Sequence, residues 1–172
     1  MKVLVTGVAG FIGFHVAQAL LKQGMEVVGV DTLNAYYDPA LKAARLEQLE
    51  PYPGFSFLKV DVASPAAMQD LVARHSDLEG VIHLAAQAGV RHSMVDPYSY
   101  VTSNVMGQVA LLEACRHLKK LTHVVYASSS SVYGRNQSVP FRETDRVERP
   151  SSVYAVTKRA AELMSECYAY LH

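Results

Sequence analysis

The sequence predicts a doubly wound α/β fold: a five-stranded parallel sheet in the order 3-2-1-4-5, Rossmann-like, with helices on both faces. Three observations carry this reading. Short, continuous apolar runs recur along the chain, as strands buried on both faces require. Segments of helical apolar spacing separate those runs. A glycine-rich turn joins the first run to the first helical segment, and right-handed crossovers then wind the sheet in both directions.

Each element has its own signal. Lys2–Thr6 is a β-branched apolar run, the first strand. Phe11–Gln23 has helical spacing and stops before Gly24, a C-capping glycine. Glu26–Asp31 is the second strand, and Pro39 to about Glu50 is an amphipathic helix. Phe55–Val60 is the third strand. Ser64 and Pro65 then supply an N-cap and a first-turn proline for the next helix. Gly80–Leu84 is the fourth strand, Pro97 to about Leu118 a long helix, and Leu121–Ala127 the fifth strand. Residues 135–150 are polar and proline-containing, a loop, and Ser151–Leu171 is the last helix. No internal repeat or linker divides the chain, so residues 1–172 read as one domain.

Composition narrows the function classes. The chain has 172 residues, half of them hydrophobic and 19% charged, which is the balance of a globular domain. Formal net charge is zero, so nothing favours a nucleic-acid partner. No histidine stands in metal-ligand spacing with cysteine, and no metal is expected. No apolar stretch is long enough to span a bilayer, so no membrane partner is expected. The glycines interrupting residues 2–14 argue against a signal peptide, and a cytoplasmic protein is expected. Cys115 and Cys167 lie on helices between apolar neighbours and are expected to be buried free thiols.

The turn after the first strand is Thr6-Gly7-Val8-Ala9-Gly10-Phe11-Ile12-Gly13. Gly7 permits the sharp exit, Gly10 lets the backbone approach a pyrophosphate, and Gly13 lets the helix pack closely on the sheet. Backbone N–H groups at the helix start, at Phe11 and Ile12, then face the anion. Asp31 ends the second strand, where a carboxylate accepts hydrogen bonds from the adenosine ribose and repels a 2′-phosphate. No arginine stands beside it in sequence, so NAD is expected rather than NADP. Asp61-Val62 ends the third strand, where the carboxylate is expected near the adenine amino group.

Tyr154 and Lys158 sit four apart on the last helix and share a face. A lysine ammonium favours the phenolate and makes a tyrosine usable as a base near neutral pH. Upstream lies a second polar cluster, Ala-Ser-Ser-Ser-Ser-Val-Tyr-Gly, from Ala127 to Gly134.

These features together resemble the extended short-chain dehydrogenase/reductase superfamily, and within it the NAD-dependent nucleotide-sugar epimerases. The resemblance rests on the glycine turn, Asp31, His83-Leu84-Ala85-Ala86, Asn104, the serine cluster with Val132-Tyr133-Gly134, and Tyr154-x-x-x-Lys158. The stretch from Asp31 to Lys42, the run Ala88-Gly-Val-Arg-His-Ser93 and the four serines look like UDP-glucuronate 4-epimerases.

The resemblance implies roles. Ser129 would hydrogen-bond the sugar 4′-oxygen, Tyr154 would remove the 4′-hydroxyl proton, and Lys158 would bind the nicotinamide ribose. Leu84, Ala85 and Ala86 would lie beside the pyrophosphate, and Asn104 would bond the backbone near the nicotinamide side. Arg91, Ser93 and Ser130 would join Ser129 in facing a UDP-sugar substrate. A related 4,6-dehydratase would need Asp-Glu where this chain has Ser130 and Ser131, which disfavours dehydration; a decarboxylase acting on the same sugar stays open.

A complete family member is expected to have roughly 310–350 residues, which leaves this chain as the NAD-binding half without the substrate-binding part. An inactive cofactor-binding fragment is therefore the competing reading. The resemblance also implies a homodimer through helices 97–118 and 151–171.

Overall fold

A computed structural model describes residues 1–172. The five strands are β1 (Lys2–Thr6), β2 (Glu26–Asp31), β3 (Phe55–Lys59), β4 (Gly80–His83) and β5 (His123–Tyr126). All are parallel and lie in the expected order, β3-β2-β1-β4-β5. The helices are α1 (Phe11–Lys22), α2 (Pro39–Leu49), α3 (Pro65–Arg74), α4 (Pro97–Tyr100), α5 (Gly107–Cys115) and α6 (Val153–Leu171). Side chains of a strand alternate between faces, so the sheet feeds two cores. Val3 and Val5 join Val27, Phe14, Ala17 and Leu46 under α1 and α2. Leu4 joins Val28, Val30, Met68, Leu71 and Leu111 under α3 and α5.

Caps define the helix starts. Asp38 accepts from the Ala40 N–H ahead of α2, Ser64 from Ala67 ahead of α3, and Ser152 from Ala155 ahead of α6. Cap loss from an exposed helix costs about 1 kcal/mol.

Three expectations change. The long helix from Pro97 is not uniform: a wide π turn, Val101–Met106, separates α4 from α5, and the helical run ends at Cys115. A π turn adds a residue without a break and re-aims the side chains within it; it holds Asn104, which is buried. Of the two cysteines only Cys115 is buried, while Cys167 is exposed on α6. Burial pushes the Cys115 thiol up to about 12. The fifth strand is shorter than expected and pairs with β4 alone, and Val125 on it is 47% exposed. No helix is long and apolar enough to cross a membrane.

The parallel arrangement sends every strand's carboxyl end to one rim. The opposite rim carries ion pairs of the amino terminus with Glu79 and of Lys2 with Asp77.

Candidate cofactor and catalytic site

The glycine turn is built by steric necessity. Gly7 has φ +70° and donates its N–H to Val30 O at 2.8 Å. A Cβ there would stand 2.8 Å from Ala85 N, so the loop after β4 packs against the turn. A Cβ on Gly10 would stand 3.0 Å from Gly7 O, and one on Gly13 would overlap that same oxygen. The first helical bond runs from Phe14 N to Gly10 O, 3.0 Å. The N–H groups of Phe11, Ile12 and Gly13 thus point out of the helix start without intrahelical partners.

Thr6 ties β1 to β4. Its hydroxyl oxygen accepts the N–H groups of Leu84 at 3.1 Å and Ala85 at 3.0 Å. With both lone pairs used, its proton goes to His83 Nδ1, 2.7 Å away. His83 therefore carries its own proton on Nε2. Burial, and secondarily the Lys158 charge, lowers its pKa to about 4, so the ring is neutral near pH 7.

Asp31 is buried at the end of β2, and its Oδ1 accepts Leu33 N–H at 2.8 Å and Lys42 Nζ at 3.3 Å. Lys42 was not anticipated at the site. It arrives from α2 with Arg45, one turn on, whose guanidinium donates to Ala9 O and to the Tyr37 hydroxyl. Asp61 is exposed and accepts Ala63 N–H, whereas the Val62 side chain belongs to the core and leaves only its backbone at the rim.

The loop after β4 is clamped from three sides. Asn104, expected to bond the backbone near the nicotinamide side, binds Gln87: Oδ1 accepts Gln87 N–H at 2.7 Å, and Nδ2 donates to Gln87 O and to Thr157 Oγ1, each at 3.0 Å. Both amide protons are used, so Asn104 shapes the site by holding the loop to α6. Tyr100 donates to the Ala88 and Gly89 carbonyls, and Tyr36, from the loop after β2, also reaches Ala88 O. Ala86 lies half-buried within this loop. Ser93, expected to face the sugar, is fully buried, with its hydroxyl on Val90 O at 2.6 Å. Arg91 is exposed.

Ser129 follows β5 in an extended conformation, and its Oγ accepts Ser131 N–H at 3.2 Å, capping a 3₁₀ turn, Ser130–Tyr133. Ser130 is exposed. On α6, Lys158 is buried and donates from Nζ to Ala127 O at 3.0 Å. Burial holds its ammonium below the usual lysine range. The same Nζ lies 6.0 Å from the centroid of the Tyr154 ring, and that ring meets Tyr100 edge-on at 6.1 Å. One bond from Lys158 thus fixes α6, with Tyr154, against the segment carrying Ser129. Farther along, between β5 and α6, a cleft of about 1450 Å³ is lined by Ser129, Tyr126, Tyr133, Glu143 and Glu162 among others.

Comparison with known proteins agrees with this geometry. The model of the family described as GDP-mannose 4,6 dehydratase matches residues 4–171. An uncharacterized 37.6 kDa protein of Escherichia coli O111:H- is 51% identical over 172 residues, spanning 100% of this chain and 51% of the relative. UDP-glucuronate 4-epimerase 3 of Arabidopsis thaliana is 47% identical over 99% of this chain and 39% of its own length. Among solved structures, UDP-glucuronic acid 4-epimerase of Bacillus cereus, crystallised with UDP-glucuronic acid and NAD, superposes with a TM-score of 0.88 at 39% identity. That match covers 99% of this chain and 52% of the other. The chain spans about half the length of the curated relatives it matches.

Proposed function

From the premise that this chain belongs to the GDP-mannose 4,6 dehydratase family, which it matches over residues 4–171, we propose that it forms the NAD-binding part of a UDP-sugar 4-epimerase acting on UDP-glucuronate. The observation that carries the reading is the Lys158–Ala127 bond, which gathers Tyr154, Lys158 and the Ser129 segment at the carboxyl rim beside the glycine turn. The residues present fit NAD. Gly7, Gly10 and Gly13 permit a turn so tight that a Cβ at any of them would crowd Ala85 N or Gly7 O, and the helix start offers free N–H groups. Asp31 Oδ2 takes no protein donor, which leaves it for a ribose hydroxyl.

When bound, NAD supplies the reversible acceptance and return of hydride at C4 of the sugar. The protein's own groups then manage protons and position. Ser129 holds the 4′-oxygen by hydrogen bonding. Tyr154 takes the 4′-hydroxyl proton as hydride leaves, and returns it after the sugar has turned its other face. Lys158 keeps two N–H groups beyond its bond to Ala127, and these would hold the nicotinamide ribose. Arg91 and Ser130 are both exposed, which supports the reading that they contact the sugar nucleotide. Dehydration would need carboxylic acids after Ser129, where Ser130 and Ser131 stand.

An epimerase uses remote substrate contacts for positioning. The matched relatives have about as much chain again outside the matched half. Residues 1–172 alone are therefore expected to bind NAD in calorimetric titration but to turn over UDP-glucuronate weakly or not at all. Absence of NAD binding sinks the cofactor reading, and substantial epimerase turnover sinks the division of labour.

The proposed homodimer has apolar surface available: Tyr98, Val101 and Met106 on the α4–α5 run, and Val156, Leu163 and Tyr170 on α6, are all exposed. Light scattering is expected to give twice the chain mass of 18.8 kDa, and a monomer at tens of micromolar (a working range of about 7 kcal/mol of association) contradicts it.

A further inference from the structure

The strongest unassigned feature is the set of cations behind Asp31. Lys42 is 5% exposed, and its Nζ contacts Asp31 Oδ1 at 3.3 Å and Asn34 Oδ1 at 3.0 Å. It also lies 4.9 Å from the centroid of the Tyr37 ring. Arg45 flanks the same ring at 5.8 Å and bonds Ala9 O, within the glycine turn, at 3.0 Å. Lys42 has one N–H left over. Arg45 uses only one of its terminal nitrogens, so the rest of its fork is free.

The formal charge of this cluster is one carboxylate against two cations. Asp31 alone faces a ribose with negative charge, and both positive groups are held from a rigid helix one turn apart. Discrimination between NAD and NADP rests on a carboxylate that repels the 2′-phosphate, or on an arginine that receives it. This chain carries both devices within one cluster.

We propose that Lys42, assisted by Arg45, is a specificity-determining residue: its charge relieves part of the repulsion by which Asp31 rejects a 2′-phosphate, and with Arg45 it forms a site for that phosphate behind the carboxylate. The inference rests on the NAD-binding reading above. It makes cofactor choice a matter of one charge: with Asp31 neutral, Lys42 and Arg45 are released to pair with the phosphate dianion. In the natural chain Lys42 acts on the cofactor through Asp31, by offsetting its charge.

The test is equilibrium binding of NAD and of NADP to four purified chains: natural, Asp31→Asn, Lys42→Met and Asp31→Asn/Lys42→Met. NADP affinity is read by competition where it is weak. Asp31→Asn keeps an oxygen for Leu33 N–H and Lys42. It is expected to lose about tenfold in NAD affinity and gain at least about tenfold in NADP affinity, the size of one unit-charge change near a protein surface. The double variant is expected to lose that NADP gain. A merely structural Lys42 would weaken both cofactors equally, so the ratio is the decisive quantity.

Lys42→Met alone is expected to raise the NAD:NADP preference about tenfold, because the carboxylate then faces the phosphate unrelieved. This variant decides the matter if Asp31→Asn does not fold; an unchanged ratio overturns the proposal. NADP binding to the double variant as tight as to Asp31→Asn also overturns it. A natural chain that binds neither cofactor overturns the parent reading and this inference together. NAD retained by the natural chain, with no NADP gain in a folded Asp31→Asn, overturns this inference alone.

Discussion

Gly13→Ala is expected to lower NAD affinity more than about 100-fold and to destabilise the chain by at least about 3 kcal/mol, the range of severe overpacking. The added methyl would overlap Gly7 O and press on Gly7 C and Val8 Cα, all backbone atoms of the phosphate turn. Backbone cannot swing aside as a side chain does, so either α1 lifts from the sheet or the turn opens. Either movement displaces the N–H groups that would meet the pyrophosphate. Gly24→Ala is the control. Gly24 has φ +78° but nothing near its missing Cβ, so its substitution costs only backbone strain, about 1 kcal/mol, with NAD binding intact. Titration calorimetry and urea unfolding separate the two. Gly13→Ala binding NAD within tenfold of the natural chain would show that the turn is not the phosphate cradle.

Acid is expected to weaken the fold through His83. Its folded pKa is about 4 against an ordinary 6.5, so between those values the unfolded chain binds a proton that the folded chain refuses. Stability from this group is complete above pH 6.5 and lost as pH falls toward 4. The loss amounts to about 3 kcal/mol at 1.36 kcal/mol per unit. A proton on Nδ1 would also oppose the Thr6 hydroxyl, whose two lone pairs already serve Leu84 and Ala85. His83→Asn removes the titrating group. The difference in unfolding free energy between about pH 7 and pH 4 should shrink by that same margin of about 3 kcal/mol relative to the natural chain. Equal acid slopes for the two chains would contradict the assignment of a buried neutral ring.

The sheet was legible because its strands are buried on both faces, and such runs stand out against helical spacing. The glycine turn and the placing of Tyr154 and Lys158 one helical turn apart on α6 were legible for a related reason: each depends on a short, fixed spacing within one element. Contacts between elements were harder. Lys42 and Asp31 are eleven positions apart, and their meeting depends on the angle at which α2 leaves its loop. The spacing of Lys42 and Arg45 on one helix face was the available signal, and it reads equally well as a solvated stripe. Ser93 was expected to face the sugar, but its hydroxyl meets the Val90 carbonyl inside the loop. A polar side chain on a segment bordering a site has the same sequence signature whether it meets a ligand or a buried carbonyl. The π turn was not legible: Val101, Thr102, Ser103 and Asn104 are weak helix formers, but weak propensity inside a helical stretch does not tell a π turn from an α-helix.

The parallel course of the strands makes tolerance to mutation directional. Every loop that carries a candidate functional group leaves from the carboxyl rim, where glycines, clamped carbonyls and buried charges permit few alternatives. The opposite rim is fastened by ion pairs such as Lys2 with Asp77, whose carboxylate is more than half exposed. Exposed pairs of this kind contribute little and are readily replaced. Among descendants of one ancestral gene, neutral drift would accumulate at the amino ends of the strands, and a comparison of orthologues should find divergence rising along each strand axis away from the functional rim.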